Sequence, residues 1–287
     1  MVECHGEKIA LEKYMSEFLY KLTCAMAVEM EEPKPFGALH LIFLLISVPL
    51  IIFAAWKLRK ISDKGADRLL FFVGLFLAVT EIFKQIYYYY QMADGSYYWT
   101  KFPFQLCSVP MYLCLMMPLL KKGKLKDGIC DFMMSYNMLG GLMTILYPAT
   151  IFTSKMLFNM HSLIWHALLV FVGLFLTFSR RGGGGIKKYV GATFTFLGLC
   201  ALAFTMNLTL GQIAEARDQS FNMFYIGPGI SDIVVFSDIG EKFGWWVGTL
   251  AYIPAVCLGS FLLYLLFDFI GRKTNEASQR KIAQATE

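Results

Sequence analysis

The sequence predicts an all-α, polytopic membrane protein: a bundle of seven transmembrane helices, with the N-terminus outside and the C-terminus in the cytoplasm. Hydrophobic residues make up 57% of the 287 residues and charged residues only 16%, which is too apolar for an ordinary soluble domain. Seven segments are long and apolar enough to cross a bilayer. The loops between these segments alternate between rich and poor in Lys and Arg.

The first 35 residues are predicted to form an amphipathic helix at the membrane surface. Apolar residues recur there at three- and four-residue spacing, from Ile9 to Leu22, with charged residues between them. Because charges interrupt every compact apolar stretch, we expect no cleavable signal peptide. A multi-pass location in a cell membrane, with a bacterial plasma membrane favoured, is therefore the expectation.

Residues 36–270 carry the seven predicted spans. A span needs about 20 apolar residues, and the segments of that kind are 36–56, 69–90, 103–120, 128–147, 158–179, 189–209 and 243–270. The third contains Pro103, Pro110 and Pro118, so we expect a kinked or broken helix there. The long connection 208–242 is typical of a lid or binding element. Residues 271–287 form a polar cytoplasmic tail.

The distribution of Lys and Arg sets the orientation. The loops after the first, third and fifth spans carry five, four and four of these residues, whereas the loops after the second and fourth spans carry one each. Under the positive-inside rule, this alternation places the N-terminus outside and the tail, which has four, in the cytoplasm. Since the net charge of +5 is distributed over loops, no nucleic-acid partner is expected.

Few ionisable residues fall within the predicted spans, and such residues are candidates for function because their burial is costly. Glu81 and Lys84 lie in the outer half of the second span, one helical turn apart on the same face. They fit two interpretations: an ion pair that stabilises the bundle, or a direct part of a site.

A layer of polar groups collects near the outer ends of the spans. Cys107 enters the third span and His166 the fifth at similar depth, and Gln105, His40 and Asn207 belong to the same layer. A thiol that an imidazole deprotonates can attack an ester and hold the acyl group as a thioester. The alternatives are a cysteine that only packs and a histidine that only makes structural hydrogen bonds.

A metal site is a second use of the same residue types. His161 and His166 are five residues apart, about 140° around a helix, so they do not share one face. A zinc site would have to combine His40 and Cys107 with one of these two histidines, and we favour it less than the Cys–His pair. The seven cysteines include no CxxC pair, so no zinc ribbon or disulfide framework is indicated. We expect neither a metal nor another cofactor.

Several short motifs occur in a fixed order at the outer ends of the helices. They are Glu81-Ile-Phe-Lys84, Phe102-Pro-Phe-Gln-Leu-Cys107-Ser, Phe158-Asn-Met-His-Ser-Leu-Ile-Trp-His166, Asn207, Asn222-Met-Phe, and Ser237-Asp238-Ile-Gly before Trp245-Trp246. Together they resemble the YwaF-like family of integral membrane proteins, which includes the animal transmembrane protein 164, a lipid acyltransferase. The resemblance covers residues from about 70 to 265.

The resemblance implies that Cys107 is the acyl-accepting cysteine and His166 its partner histidine, in a phospholipid transacylase that uses no coenzyme A. Phospholipids or lysophospholipids are then the expected substrates. The family commonly has His two residues before the cysteine, where this chain has Gln105. A glutamine can orient a thiol or an ester through hydrogen bonds but cannot act as a base. Candidate groups for binding the phosphate or the oxyanion are Glu81, Lys84, Asn207 and Asn222.

Two other function classes fit parts of the pattern. A seven-helix sensor or small-ligand-binding protein without catalysis is supported only by the helix count and the orientation, which do not establish a function. A transporter would have inverted repeats or broken helices in both halves, and the sequence shows no internal repeat. Lipid acyl transfer is therefore the favoured hypothesis, and the sensor is its alternative.

Overall fold

The computed structural model describes residues 16–286 except 94, 230 and 232, and this part of the chain is an all-helical bundle without strands. Six of its helices are long and apolar enough to cross a membrane, which confirms the predicted polytopic bundle. The helices are α1 (Ala38–Leu58), α2 (Asp63–Gln91), α3 (Val109–Leu119), α4 (Lys124–Leu146), α5 (Met156–Phe178), α6 (Ile186–Glu215), α7 (Val234–Phe243) and α8 (Trp245–Thr286).

The third predicted span is a broken helix. An α-helix over Val109–Met116 continues into a 3-10 turn, Met117–Leu119, and together they extend roughly 18 Å, little more than half the hydrocarbon thickness. Pro110 lies in the first turn and Pro118 in the 3-10 turn, because a proline ring is tolerated where no intrahelical N–H donor is needed. The chain before Val109 is therefore irregular at the predicted depth of the membrane.

Helices α4 and α5 form the centre of the bundle, and the others surround them. About two thirds or more of the apolar windows of α4 and α5 are buried within the protein, against less than a third for α1, α2, α6 and α8. Small residues allow close approach: a Cβ at Gly173 of α5 would clash with the sulfur of Met138 in α4. Close contact at small residues is the common way for membrane helices to associate.

The loops predicted to be cytoplasmic come together at one end of the bundle. Asp63, at the start of α2, pairs with Lys122 before α4 and with Arg181 after α5. Arg180 is 2.9 Å from the buried Asp268 carboxylate of α8, which also accepts the N–H of Gly184 at 2.9 Å. Charges from two helices and two loops thus pair across this end, as the shared loop location predicts.

The N-terminal segment lies at the opposite end of the bundle. Residues 16–26 are helical and contact the end of α2, where Tyr90 donates to the Ser16 hydroxyl at 3.2 Å and Gln91 to the Thr23 hydroxyl at 3.0 Å. Farther along, Glu29 pairs with Lys155 just before α5. Residues 1–15 of the predicted amphipathic helix lie outside the described part of the chain.

Replacing Arg180 by Met should destabilise the protein by about 1.5–3 kcal/mol, because the buried Asp268 carboxylate loses a charge-assisted hydrogen bond. The matched control is Arg272→Met: Arg272 approaches the same carboxylate at 3.5 Å but its side chain is 58% exposed, against 24% for Arg180, so it should contribute at most about 1 kcal/mol. Thermal unfolding in detergent micelles measures both. Equal losses of stability in the two variants would contradict the conclusion that Arg180 is the main partner of Asp268.

Candidate functional site

Two side-chain amides clamp the loop that connects α6 to α7. Asn207 of α6 accepts the Met223 N–H at 2.6 Å and donates to the Met223 carbonyl at 3.0 Å. From the other side, Gln105 donates to the Asn222 carbonyl at 2.9 Å and accepts the Phe224 N–H at 2.9 Å. The Asn207 pair ties the loop to α6, and the Gln105 pair ties it to the irregular chain before α3. Both amides were predicted to bind substrate, and here they bind backbone.

The clamped loop has an unusual backbone. Phe224 and Tyr225 both have φ of 59°, a left-handed conformation that is costly for bulky residues. The buried Phe224 ring stacks on Phe104 at 5.8 Å between centroids. Burial of this ring and the hydrogen bonds from Gln105 and Asn207 offset the strain, so the loop is held in one shape.

A cavity of about 750 Å³ lies beside this loop. Its walls come from the end of α2, the chain before α3, the C-terminal part of α6 and the loop from 219 to 229. Five of the seven residues predicted for the site line it: Lys84, Gln105, Cys107, Asn207 and Asn222. The long connection predicted to be a lid or binding element therefore contributes a wall of a cavity.

Cys107 lies in the wall of this cavity, two residues before α3. The carbonyl of Cys107 accepts a hydrogen bond from the Trp165 indole at 2.8 Å, which ties the irregular segment to α5. Ser108 follows the cysteine and lines the same cavity, so a hydroxyl donor lies beside the residue that carries the thiol. Such donors stabilise a thiolate or an anion that forms beside it.

The predicted ion pair is present next to the cysteine. Lys84 Nζ is 2.8 Å from Glu81 Oε2, and both side chains are largely buried. The other Glu81 oxygen accepts a hydrogen bond from Gln85 at 2.7 Å. Lys84 lines the cavity, and its charge acts on the Cys107 thiol and on the rings of His161 and His166. It is therefore a largely buried cation in the wall of the cavity.

His166 is buried in α5 and is not among the residues that line the cavity. Its Nδ1 lies 2.7 Å from the Ser162 carbonyl; since a carbonyl only accepts, Nδ1 carries the proton. In the neutral ring, Nε2 then keeps a free lone pair, as a general base requires. Within the described residues, no hydrogen bond joins His166 to Cys107, although the neighbouring Trp165 binds the cysteine's backbone.

The other histidines differ in how their ring nitrogens are used. His40 accepts the Phe36 N–H at 2.9 Å and contacts the Ile145 carbonyl at 2.8 Å, so both nitrogens serve the fold. The Nε2 atom of His161 is buried without a hydrogen-bond partner in the described structure. Among residues 16–286 apart from 94, 230 and 232, no three His, Cys, Asp or Glu side chains are grouped to hold a metal ion.

Sequence reasoning missed Trp165, Ser108 and the backbone of the 222–225 loop as parts of the site. Ser108 follows the cysteine directly, and a hydroxyl at that position was a usable signal. The indole of Trp165 and the Phe224 conformation depend on contacts between distant segments. No local sequence pattern predicts such contacts.

The fold and site define a multi-pass helical membrane protein with a cysteine-containing polar cavity at one end of the bundle. More specifically, the chain belongs to the TMEM164 family, whose family model matches residues 35–265. This confirms the resemblance found in the sequence. The searches of curated proteins and of solved structures gave no match.

Replacing Asn207 by Leu should release the loop, because the buried N–H and carbonyl of Met223 lose their partner at a cost of about 1–3 kcal/mol each. We expect a lower melting temperature and faster protease cleavage within residues 217–230. The control is Gln212→Leu, an exposed amide on the same helix that lines the same cavity. Unchanged cleavage in Asn207→Leu would contradict the clamp.

Proposed function

We propose that this protein is a membrane-embedded lipid acyltransferase in which Cys107 carries the acyl group and His166 moves the proton. The observation that supports this most directly is the position of the Cys107 thiol in the wall of a cavity that also contains the buried cation Lys84. Lipid esters lie at the boundary between head groups and hydrocarbon, the depth predicted for Cys107. A phospholipid can thus place an ester near a nucleophile and a phosphate near a cation.

In the first half-reaction, the Cys107 sulfur attacks the ester carbonyl of a donor phospholipid, and the thiol proton passes to His166 Nε2. The tetrahedral intermediate collapses when the carbon–oxygen ester bond breaks. The proton then moves from His166 to the departing oxygen, which leaves a lysophospholipid and an acyl thioester on Cys107. This step requires His166 Nε2 to reach the sulfur directly or through one water.

In the second half-reaction, the free hydroxyl of an acceptor lysophospholipid attacks the thioester carbonyl. A carbon–oxygen bond forms, the carbon–sulfur bond breaks, and the hydroxyl proton returns to the sulfur. The two halves together exchange an acyl chain between glycerophospholipids and consume no other reagent. They therefore need neither coenzyme A nor a metal ion for their atom balance.

The other groups have distinct roles in this proposal. Lys84 binds the phosphate or the oxyanion, and the Ser108 hydroxyl, in the same cavity wall, donates to charge that develops near the sulfur. Asn222 accepts the Gly227 N–H at 2.8 Å through its side-chain oxygen, which orients its amide in the cavity wall. Gln105 and Asn207 act indirectly, because their amides hold the loop.

Intact-protein mass spectrometry after incubation with phosphatidylcholine vesicles tests the nucleophile. Wild type should gain a hydroxylamine-sensitive acyl mass that Cys107→Ser lacks. Cys24→Ser is the matched control, since Cys24 is an exposed cysteine at the same end of the bundle and its loss should leave the adduct intact. Lipid binding without an adduct in folded wild type would instead favour the sensor or ligand-binding alternative.

Replacing His166 by Gln should slow formation of the adduct by about 10²–10⁴-fold, the usual contribution of a positioned general base. The rate is followed by quenched mass spectrometry at several pH values. His40→Gln serves as a comparison, because His40 is a buried histidine whose ring nitrogens bind backbone: it should lower the melting temperature more than the rate per folded molecule. Acylation of His166→Gln at the wild-type rate would exclude the assigned role.

A further inference from the structure

A second cavity, an apolar groove of about 250 Å³, lies between α2 and α5. Phe76, Thr80 and Phe83 line it from α2, and His161 and Ile164 line it from α5. Lys84 lines both this groove and the polar cavity that contains Cys107. The two cavities therefore adjoin at one side chain, and the groove is apolar whereas the larger cavity has both polar and apolar lining.

The groove faces the surroundings of the bundle. Phe76, Phe83 and Ile164 are exposed, and they belong to helices long and apolar enough to cross a membrane, so these side chains contact lipid. A molecule that enters the groove from the side comes from the bilayer. The apolar lining selects a hydrocarbon chain over a polar solute.

This apolar groove is lined by one histidine whose ring has a buried nitrogen without a hydrogen-bond partner among the described residues. His161 Nε2 is buried and has no hydrogen-bond partner in the described structure, although a buried polar atom normally has one. The ring packs against Trp165 at 5.3 Å between centroids, and Trp165 in turn binds the Cys107 carbonyl. Trp165 thus connects His161, on the lipid-facing side, to the backbone of Cys107.

We propose that the groove holds the hydrocarbon chain of the acyl acceptor, a lysophospholipid, and that His161 Nε2 accepts a hydrogen bond from its free hydroxyl. This inference rests on the proposed function. A single-chain lipid would place its chain in the groove, its phosphate beside Lys84 in the polar cavity, and its hydroxyl between them. A diacyl donor has no free glycerol hydroxyl to offer, so this hydrogen bond distinguishes acceptor from donor.

The first test separates the two half-reactions. Wild type and His161→Phe are acylated from phosphatidylcholine vesicles, lysophosphatidylethanolamine is added, and the acyl mass on Cys107 is followed. We expect His161→Phe to acquire the acyl group at the wild-type rate and to transfer it at least 10-fold more slowly. His161→Gln restores a hydrogen-bond acceptor and should recover part of the transfer rate, whereas a purely structural role of the ring would give no such recovery.

The groove itself is tested with two neighbouring residues of α2. Thr80 lines the groove, whereas Val79 is exposed and is not among its lining residues. Thr80→Trp should slow transfer to the lysophospholipid, and Val79→Trp should leave it unchanged. Equal effects of the two substitutions would overturn the placement of the chain.

A binding measurement keeps this inference separate from the proposed function. Displacement of a fluorescent lysophospholipid is compared for lysophosphatidylethanolamine and its analogue without the hydroxyl. Wild type should bind the hydroxyl form at least several-fold more tightly, and His161→Phe should bind both alike. If wild type forms no acyl adduct, acyl transfer through Cys107 is refuted. The binding preference for the lipid with the hydroxyl then still tests whether His161 accepts a hydrogen bond from that hydroxyl. Equal transfer rates in wild type and His161→Phe, or no preference in wild type, would overturn the inference.

Discussion

The structure depends on one constraint: polar backbone at the depth of the membrane must find partners within the protein. The broken third helix leaves residues 102–108 outside regular hydrogen bonding. Two side chains supply partners to this segment: Tyr112 donates to the Pro103 carbonyl at 2.8 Å, and Trp165 donates to the Cys107 carbonyl. Gln105, within the segment, bonds in turn to the backbone of the loop after α6. Satisfying these groups brings α3, α5 and α6 together around the cysteine.

Those bonds also explain why the cavity persists. A space of this size would collapse if its walls were loops without fixed contacts, since polar backbone and strained dihedrals favour rearrangement. The clamp on Met223 and Phe224 removes that freedom, and the buried Phe224 ring anchors the loop in the core. The Gln105 and Asn207 amides, which were predicted to bind substrate, support the wall of the cavity through these bonds. Their contact with a substrate stays a prediction.

Local patterns in the sequence predicted much of the fold and part of the site. Pro103, Pro110 and Pro118 predicted the break in the third helix, and the three-residue spacing of Glu81 and Lys84 predicted the ion pair. The clamp was not predictable, because Gln105 and its partner Asn222 are more than a hundred residues apart. Hydrogen bonds of that kind depend on how helices pack, and residue spacing carries no information about it. The orientation, with the N-terminus outside and the C-terminus in the cytoplasm, and the location in a bacterial plasma membrane stay predictions.

The two interpretations of Glu81 and Lys84 are compatible. A lysine that is to bind a phosphate in a largely buried site needs an anionic partner whenever the site is empty, because an unpaired buried charge is very costly. Glu81 supplies that partner through one oxygen, while Gln85 binds the other oxygen. When a phosphate attracts Lys84, the carboxylate therefore retains a hydrogen bond. The pair that stabilises the empty bundle would then be the feature that allows Lys84 to exchange one anion for another.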